Sequence, residues 1–492
     1  MKLDKNTRSK YQLVIGLEVH VQLQSQSKIF ASDLNQYGGE PNSHISPISL
    51  AHPGTLPLLN KKVVEYAIKM GLACHCKITQ QNYFDRKNYF YPDLPKGYQI
   101  TQDKTPICRG GKVPIRPNQP ALRPEDRSTE VLIHHIHLEE DAGKLMHLKG
   151  EPESQVDFNR AGTALIEIVT EPCMRFPEEA YAALTEIRKL VRYLDICDGN
   201  MEEGSMRCDA NVSVKLHDAT ELGRKVEVKN MNSIRNVQRA IEHEWERQII
   251  LLEQGETIVS ETRTFDAVTG TTAAMRYKEE LNDYRYFPEP DLSPMSISDK
   301  WLGQIQANMP LLPYELEKKF SEKYGLPEHD LDVLTDSKEI ALFYDTFCQH
   351  TSHYKAAANW VMGPIKSFLN DSSKSITEFP LTYQQLSELT DLVASDRISF
   401  AAASQKIFPA LLDSPEAAPT TIAETLNLFQ ESNTDSLQTL VNEVIADFPD
   451  KVATYRKGKK GLLGMFMGEV MKRSRGKANP KITNELLRKA LS

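Results

Sequence analysis

Strand-like alternation is confined to the part of this chain before about Leu292, and that limit constrains the fold more than any other feature. Apolar and polar residues alternate along Val14–Leu23, Val131–Leu138, Thr163–Thr170, Arg207–Lys215 and Lys225–Lys229. Period two is the pattern of a sheet with one buried face. Helical patterns are interposed. Pro177 opens one, with Tyr181, Leu184, Ile187 and Val191 at helical spacing. A second runs from Ile234 to Glu253, with Val237, Ile241, Trp245, Ile249 and Leu252 on one stripe and Gly255 as its stop signal. From Ser298 onward the patterns are helical, as in Lys338–Gln349, His353–Leu369 and Tyr383–Ala394. The fold class is therefore α+β: a mixed domain over 1–297, then helical domains over 298–413 and 414–492. Ser414-Pro415-Glu416-Ala417-Ala418-Pro419 marks the last boundary.

No apolar run approaches the roughly 18–20 residues needed to span a bilayer. The N-terminal MKLDKNTRSK lacks the apolar centre of a signal peptide, so a cytoplasmic protein is expected. Seven scattered cysteines, an odd number, argue against a disulfide framework. The formal net charge is −8, which would disfavour nucleic-acid binding if it were evenly spread. It is not. From Lys451 to the end, twelve Lys and Arg face only Glu469 and Glu485, a local balance of +10. An acidic body with a basic end suits contact with a polyanion.

Residues two apart on a strand share a face. Glu18, His20 and Gln22 therefore point together, away from Val19, Val21 and Leu23. Arg207, Asp209, Asn211, Ser213 and Lys215 make a second polar face, and Glu227 with Lys229 a third. Glu139, Glu140, Asp141, Glu167 and Glu171 lie at or near strand ends. Taken singly, each face suits the solvent side of a one-sided sheet. Their content says more, because Asp, Glu, His and Asn are poor strand formers. Carboxylates with a histidine suit Mg²⁺ or Mn²⁺, which usually arrive with phosphate oxygens. There is no GxxxxGK[ST] loop and no protein-kinase signature set, so any ATP would bind in another way.

Zinc has two weak candidates. His134, His135 and His137 are close in sequence, but neighbours on a regular strand alternate faces. Cys74-His75-Cys76 is too tightly spaced for the common fingers. The segments Asp85–Tyr98 and Asp283–Asp291 interleave aromatic, basic and Pro/Gly residues. Each is an ordered loop with buried tyrosines, or a loop that grips a phosphate or stacks a base. In the basic end, Gly458–Gly468 leads into Val470-Met471-Lys472-Arg473, where apolar residues would pack a short helix. No DNA-recognition helix is evident, so a folded RNA fits better.

Together these segments resemble the B subunit of the glutamyl/aspartyl-tRNA amidotransferase, the GatB family. The matching stretches are Ile15–Leu23, Asp85–Tyr98, Leu138–Lys144, Asp157–Thr163, Glu202–Asn211, Val228–Asn230, Tyr284–Asp291, Asn359–Gly363 and the Gly-Lys-rich end. They extend from about Tyr11 to Ser492. The resemblance implies a cradle-like N-terminal domain, and a heterotrimer with an amidase A subunit and a small C subunit. It implies ATP-dependent phosphorylation of the side-chain carboxylate of glutamyl-tRNA(Gln) or aspartyl-tRNA(Asn), then amidation by ammonia from glutamine. Mg²⁺, with Mn²⁺ as substitute, and ATP would be needed. The family's metal positions fall on Glu18, His20, Glu140 and Glu167, with Asp209 added. Lys87, Glu140, Lys144 and Arg160 match its catalytic stretches, and Lys457, Lys459, Lys460, Lys472, Arg473 and Arg475 would contact tRNA.

The chain departs from the family in two ways. Where many members carry four zinc-binding cysteines it reads Ala31-Ser32-Asp33 and Ser46-Pro47-Ile48-Ser49, so no zinc is expected there. The family's Thr-Pro is here Thr163-Ala164, and its Glu-Pro-Asp is Glu171-Pro172-Cys173. The competing class is a non-catalytic tRNA-binding adaptor, which would need the basic end but not Glu18 and His20.

Overall fold

Each period-two segment becomes a strand of one sheet. The strands are β1 (Tyr11–Gln22), β2 (Lys77–Ile78), β3 (Cys108–Arg109), β4 (Lys112–Pro114), β5 (Glu130–Glu140), β6 (Ala164–Thr170), β7 (Met206–Leu216), β8 (Val226–Lys229), β9 (Glu261–Asp266) and β10 (Thr271–Tyr277). Their order is β10-β9-β8-β7-β1-β6-β5-β3-β2, with β4 also on β5. β8 and β9 are parallel; β1 runs antiparallel to both its neighbours. A parallel pair needs a crossover, and the helix Ile234–Glu253 supplies it. In this computed structural model the described residues are 4–117, 130–147, 150, 152–277, 284–430, 434–474 and 477–492. The chain divides into two compact units, Met1–Tyr314 and Glu315–Ser492.

Three helices close the apolar face of the sheet. They are α1 (Lys61–Ala73), α2 (Pro177–Tyr193) and α3 (Ile234–Glu253). Each start has a cap. Asn60 Oδ1 accepts from Lys62 N at 2.9 Å, and Ser233 Oγ from Asn236 N at 3.2 Å. At α2, Glu179 Oε2 accepts from the backbone N–H groups of Arg175 and Phe176. Ile15, Leu17, Val19 and Val21 of β1 share one core with Val64 and Ile68, Leu184 and Ile187, and Val237 and Ile241. Full burial of each such side chain contributes about 1.5–3 kcal/mol. Tyr181 departs from the expected stripe and is exposed, while Ala180 and Ala183 are buried. Small residues let the start of α2 approach its neighbours closely.

The second unit is helical. Tyr383–Ala394 is one helix, as its pattern predicts. His353–Leu369 is not continuous: Tyr354–Trp360 and Lys366–Ser372 are α-helical, and a wider π turn, Val361–Ile365, joins them around Pro364. Proline lacks the N–H and crowds the preceding turn, so the helix widens there. One helix ends at Asp413 and the next begins at Pro419, so the 414–418 stretch is a short connection. Leu437, Val441, Phe466, Val470, Leu487 and Leu491 form a core between the last helices. No described helix is long and apolar enough to cross a membrane.

Candidate metal centre and active-site cavity

β1 lies between β6 and β7, and strand register brings their polar faces together. His20 pairs with Glu167 on one side and Arg207 on the other, and Glu18 pairs with Asp209. Glu167 pairs in turn with His137, and Asn211 with Glu227. Among the described residues, two triads could hold a metal ion, each with ligand atoms within 4.8 Å of one another. One is His20, Glu139 and Glu167; the other is Glu18, Asp209 and Glu227.

The first triad is tightly coupled. His20 Nε2 lies 3.4 Å from Glu167 Oε2 and 3.8 Å from Glu139 Oε1. Burial alone would disfavour the imidazolium, but Glu167, Glu139 and Asp209 prevail and raise its pKa to about 9. Burial likewise favours a neutral Glu167, yet His137, His20 and Lys87 hold its carboxyl well below the usual range. The second triad is short of positive charge. Burial, followed by Glu167, Glu227 and Asp209, pushes the Glu18 pKa up, opposed by the Asn211 amide at 2.9 Å. Lys229 is a counter-charge there: its ammonium contacts Asp209 and lies 3.0 Å from Glu227 Oε1. Asn211 Oδ1 is buried with no hydrogen-bond donor. A bare carbonyl oxygen beside crowded carboxylates fits a hard divalent cation such as Mg²⁺ or Mn²⁺.

A cavity of about 610 Å³ opens onto this face, lined by His20, Glu139, Glu167, Asp209 and Lys229, with Lys87, Tyr89 and Arg207. Burial would lower the Lys87 pKa, but Glu139 and nearby groups raise it, so it remains an ammonium. Arg207 is aimed by the buried Asp141, which accepts from Arg207 Nη2 at 2.9 Å and from Gln22 Nε2 at 2.9 Å. Gly143 fixes the nearby loop. Its N–H donates to Asp93 O at 2.8 Å, and a Cβ there would lie only 2.9 Å from that oxygen.

The remaining residues singled out from the sequence scatter. Glu140 is not in either triad; it turns away from Glu139, contacts the Lys96 ammonium and accepts from Ile100 N at 2.9 Å. Glu139 stands in the position expected of Glu140, with Thr101 Oγ1 donating to it at 3.3 Å. Adjacent residues on a strand face opposite ways, so only one of the pair can reach His20. Glu139 shares the parity of His137, which pairs with Glu167 across the sheet. Glu227 and Arg207 were visible as polar-face residues, but only register places them here. Lys144 and Arg160 line a second cavity of about 660 Å³, together with Gln22, Asp198, Glu202 and Glu203. Arg160 donates to Ala142 O at 3.0 Å and Gly143 O at 2.5 Å.

His134 and His135 do not alternate as expected. The β5–β6 register passes from His135–Val169 to Ile133–Thr170, so His134 is an unpaired bulge residue. Its Nδ1 comes 2.6 Å from His135 Nδ1, and His135 Nε2 lies 3.1 Å from His137 Nδ1. Cys74, Cys76 and Cys108 are buried thiols of the core, and His75 beside them is exposed. Where the family's cysteines would stand, Ser49 Oγ donates to Asp33 Oδ2 at 2.5 Å, and buried Lys28 lies 3.7 Å from the same carboxylate. Cys173 sits in the turn before α2, its sulfur accepting from Leu132 N at 3.4 Å, and it does not line the main cavity. Ala164 is buried.

In the basic end, Leu463–Arg473 is helical with Phe466 and Val470 buried. Lys457, Lys459, Lys460 and Lys472 are all exposed, and the Lys460 ammonium lies 4.4 Å from the Tyr455 ring centre. Arg473 pairs with Asp447 at 2.6 Å and Glu469 at 3.4 Å. Arg475 lies outside the described residues.

Residues 13–303 match the family model of the GatB/GatE catalytic domain, and 342–491 match that of a GatB domain. Among curated proteins, the B subunit of the aspartyl/glutamyl-tRNA(Asn/Gln) amidotransferase of Thermoanaerobacter pseudethanolicus is 46% identical over 483 residues, 98% of this chain and 100% of that protein. Its counterpart in Geotalea daltonii is 48% identical over 486 residues, 98% and 99% of the two chains. That of Syntrophotalea carbinolica is 47% identical over 484 residues, again 98% and 99%. On full-length similarity of this degree, the chain belongs to the family of aspartyl/glutamyl-tRNA(Asn/Gln) amidotransferase B subunits.

Proposed function

We propose that this chain is the B subunit of a cytoplasmic tRNA-dependent amidotransferase, a ligase that works with an amidase A subunit and a small C subunit. Its substrates are glutamyl-tRNA(Gln), aspartyl-tRNA(Asn) or both, with ATP and a divalent ion. A side-chain carboxylate oxygen attacks the γ-phosphorus of ATP; the new O–P bond forms as the bond to ADP breaks. Ammonia, released from glutamine by the A subunit, then attacks the acyl carbon. The C–N bond forms, phosphate leaves and a proton is lost, giving the amide. Activation is needed because a carboxylate oxygen is a poor leaving group.

The observation that carries this reading is the pair of acidic triads, His20–Glu139–Glu167 and Glu18–Asp209–Glu227, on one sheet face, with all of the first and Asp209 of the second lining one cavity. Either triad, with Asn211 beside the second, would hold Mg²⁺ or Mn²⁺, which supplies charge neutralisation on phosphate oxygens when bound. Lys87, Arg207 and Lys229 add fixed positive charge to the cavity walls for the transferring phosphoryl group. Lys144 and Arg160 serve the adjoining cavity. Glu140 supports the site from behind through Lys96. Lys457, Lys459, Lys460 and Lys472 hold the tRNA body with Arg473, and the resemblance adds Arg475 to them. We assign catalysis to residues 1–297, a helical domain to 298–413 and tRNA binding to 414–492.

The test is reconstitution with the A and C subunits, supplying both misacylated tRNAs, glutamine, ATP and Mg²⁺. Glu18→Ala and His20→Ala should abolish ATP-dependent phosphorylation of glutamyl-tRNA while tRNA binding stays nearly intact. Unchanged ATP turnover in both variants would favour the adaptor.

A further inference from the structure

The two aromatic–basic segments of the sequence meet at the rim of the main cavity. Asp85–Asn88 pairs with Tyr98–Thr101 on one edge and Phe287–Pro288 on the other. Asn88 N donates to Tyr284 O at 2.9 Å and Asn88 Nδ2 to Arg285 O at 2.8 Å, fastening the later segment to the earlier one. Arg285 adopts φ +45°, rare for a residue with a Cβ. On either side of that turn, Tyr284 and Tyr286 stand nearly perpendicular, ring centres 6.2 Å apart. Tyr89 meets Tyr284 in a similar edge-on way at 6.0 Å. The Lys87 ammonium lies 5.0 Å from the Tyr284 ring centre and 5.9 Å from that of Tyr89. Lys87 and Tyr89 both line the cavity that holds the first triad. Outside it, Phe90, Tyr91, Tyr286 and Phe287 are 84%, 52%, 39% and 45% exposed.

Four large rings left in solvent on two joined segments call for a ligand. Ring faces beside an ammonium suit one that is flat and anionic, as a nucleotide is. We propose that this aromatic rim seats the unpaired 3′-terminal nucleotides of the acceptor tRNA, a subsite that rests on the function proposed above. The last base stacks against Tyr89 and Tyr284, Lys87 lies beside the backbone, and the attached amino acid reaches the acidic cavity. Preceding bases meet Phe90, Tyr91 or Tyr286. The adenine of ATP is one base and would need one such face. The rings here continue from half-buried Tyr89 and Tyr284 to Phe90 at 84% exposure, which matches a strand of successive bases arriving from solvent.

The test uses the reconstituted trimer and compares intact glutamyl-tRNA, tRNA shortened by its terminal nucleotides, and ATP with Mg²⁺. Tyr284→Leu should weaken binding of intact tRNA about ten-fold, the scale of one base–aromatic stack. It should not alter binding of the shortened tRNA, and Tyr284→Phe, which keeps the ring, should restore most of the loss. Should Tyr284→Leu fail to assemble, Phe90→Ser at the exposed edge carries the same comparison. The proposal is overturned if Leu and Phe variants bind tRNA alike, if the shortened tRNA suffers equally, or if ATP alone is weakened. Failure of the His20→Ala test would remove the catalytic reading and leave this result readable, because tRNA length dependence needs no turnover.

Discussion

In the function proposed above, the acidic sheet face and the basic C-terminal surface both handle phosphate, by opposite means. On the sheet, charges are partly or wholly buried, paired and fixed by strand register: His20 against Glu167, Lys229 against Asp209 and Glu227, Arg207 against Asp141. In the tail, Lys457, Lys459, Lys460 and Lys472 stand at the surface of a small helical core. Fixed charge in a water-poor site acts strongly on a developing charge and needs no reorganisation. Exposed lysines act by releasing counterions from a polyanion, a term that tolerates loose geometry and weakens with salt. The proposed function accordingly assigns chemistry to the sheet and holding to the tail.

That contrast can be broken from either side. The largest expected effect is at the first triad. Glu139→Gln should lower ATP-dependent phosphorylation of glutamyl-tRNA by about 10²–10³-fold, the scale of losing one fixed electrostatic contact. Glu140→Gln should lower it far less, its cost appearing as about 1–3 kcal/mol in chemical denaturation because the Lys96 pairing is lost. Equal kinetic losses in the two variants would return Glu140 to the metal site. Next in size is the tail. Alanine at Lys457, Lys459, Lys460 and Lys472 together should weaken tRNA binding at least about ten-fold and flatten the log–log salt slope by roughly 3, with turnover at saturating tRNA retained. An unchanged slope across a salt titration would remove these lysines from the interface. The smallest effect is at the departure from the family pattern. Cys173→Asp should change amidation by no more than about two-fold, as for a residue outside the cavity. A ten-fold change would tie this turn to the site.

Much of the sheet side was legible in the sequence, since one buried face imposes period two. The polar alternates of β1, β7 and β8 could each be read, and Glu18, His20 and Asp209 fall where parity puts them. The family stretch places the metal position on Glu140, whereas the triad contains Glu139. Both match the family stretch, and parity decides only once it is known which face of β5 meets the cavity. The bulge at His134 made even that parity local, because an extra residue resets the alternation. Tyr181 and Pro364 show the same limit in helices: the apolar period was present, but close packing at one and a missing N–H at the other altered the result.

By itself the sequence determined the elements, the split between a mixed sheet region and helical regions, and the concentration of positive charge after Lys451, because these depend on local period and composition. It also carried the long motifs that mark the family. Tertiary structure decided what those elements bring together. Glu18, Asp209 and Glu227 come from three strands, and Tyr89 meets Tyr284 from opposite ends of the first unit. Such meetings depend on register and strand order, which arise from long-range pairing across the sheet and leave no period in the chain.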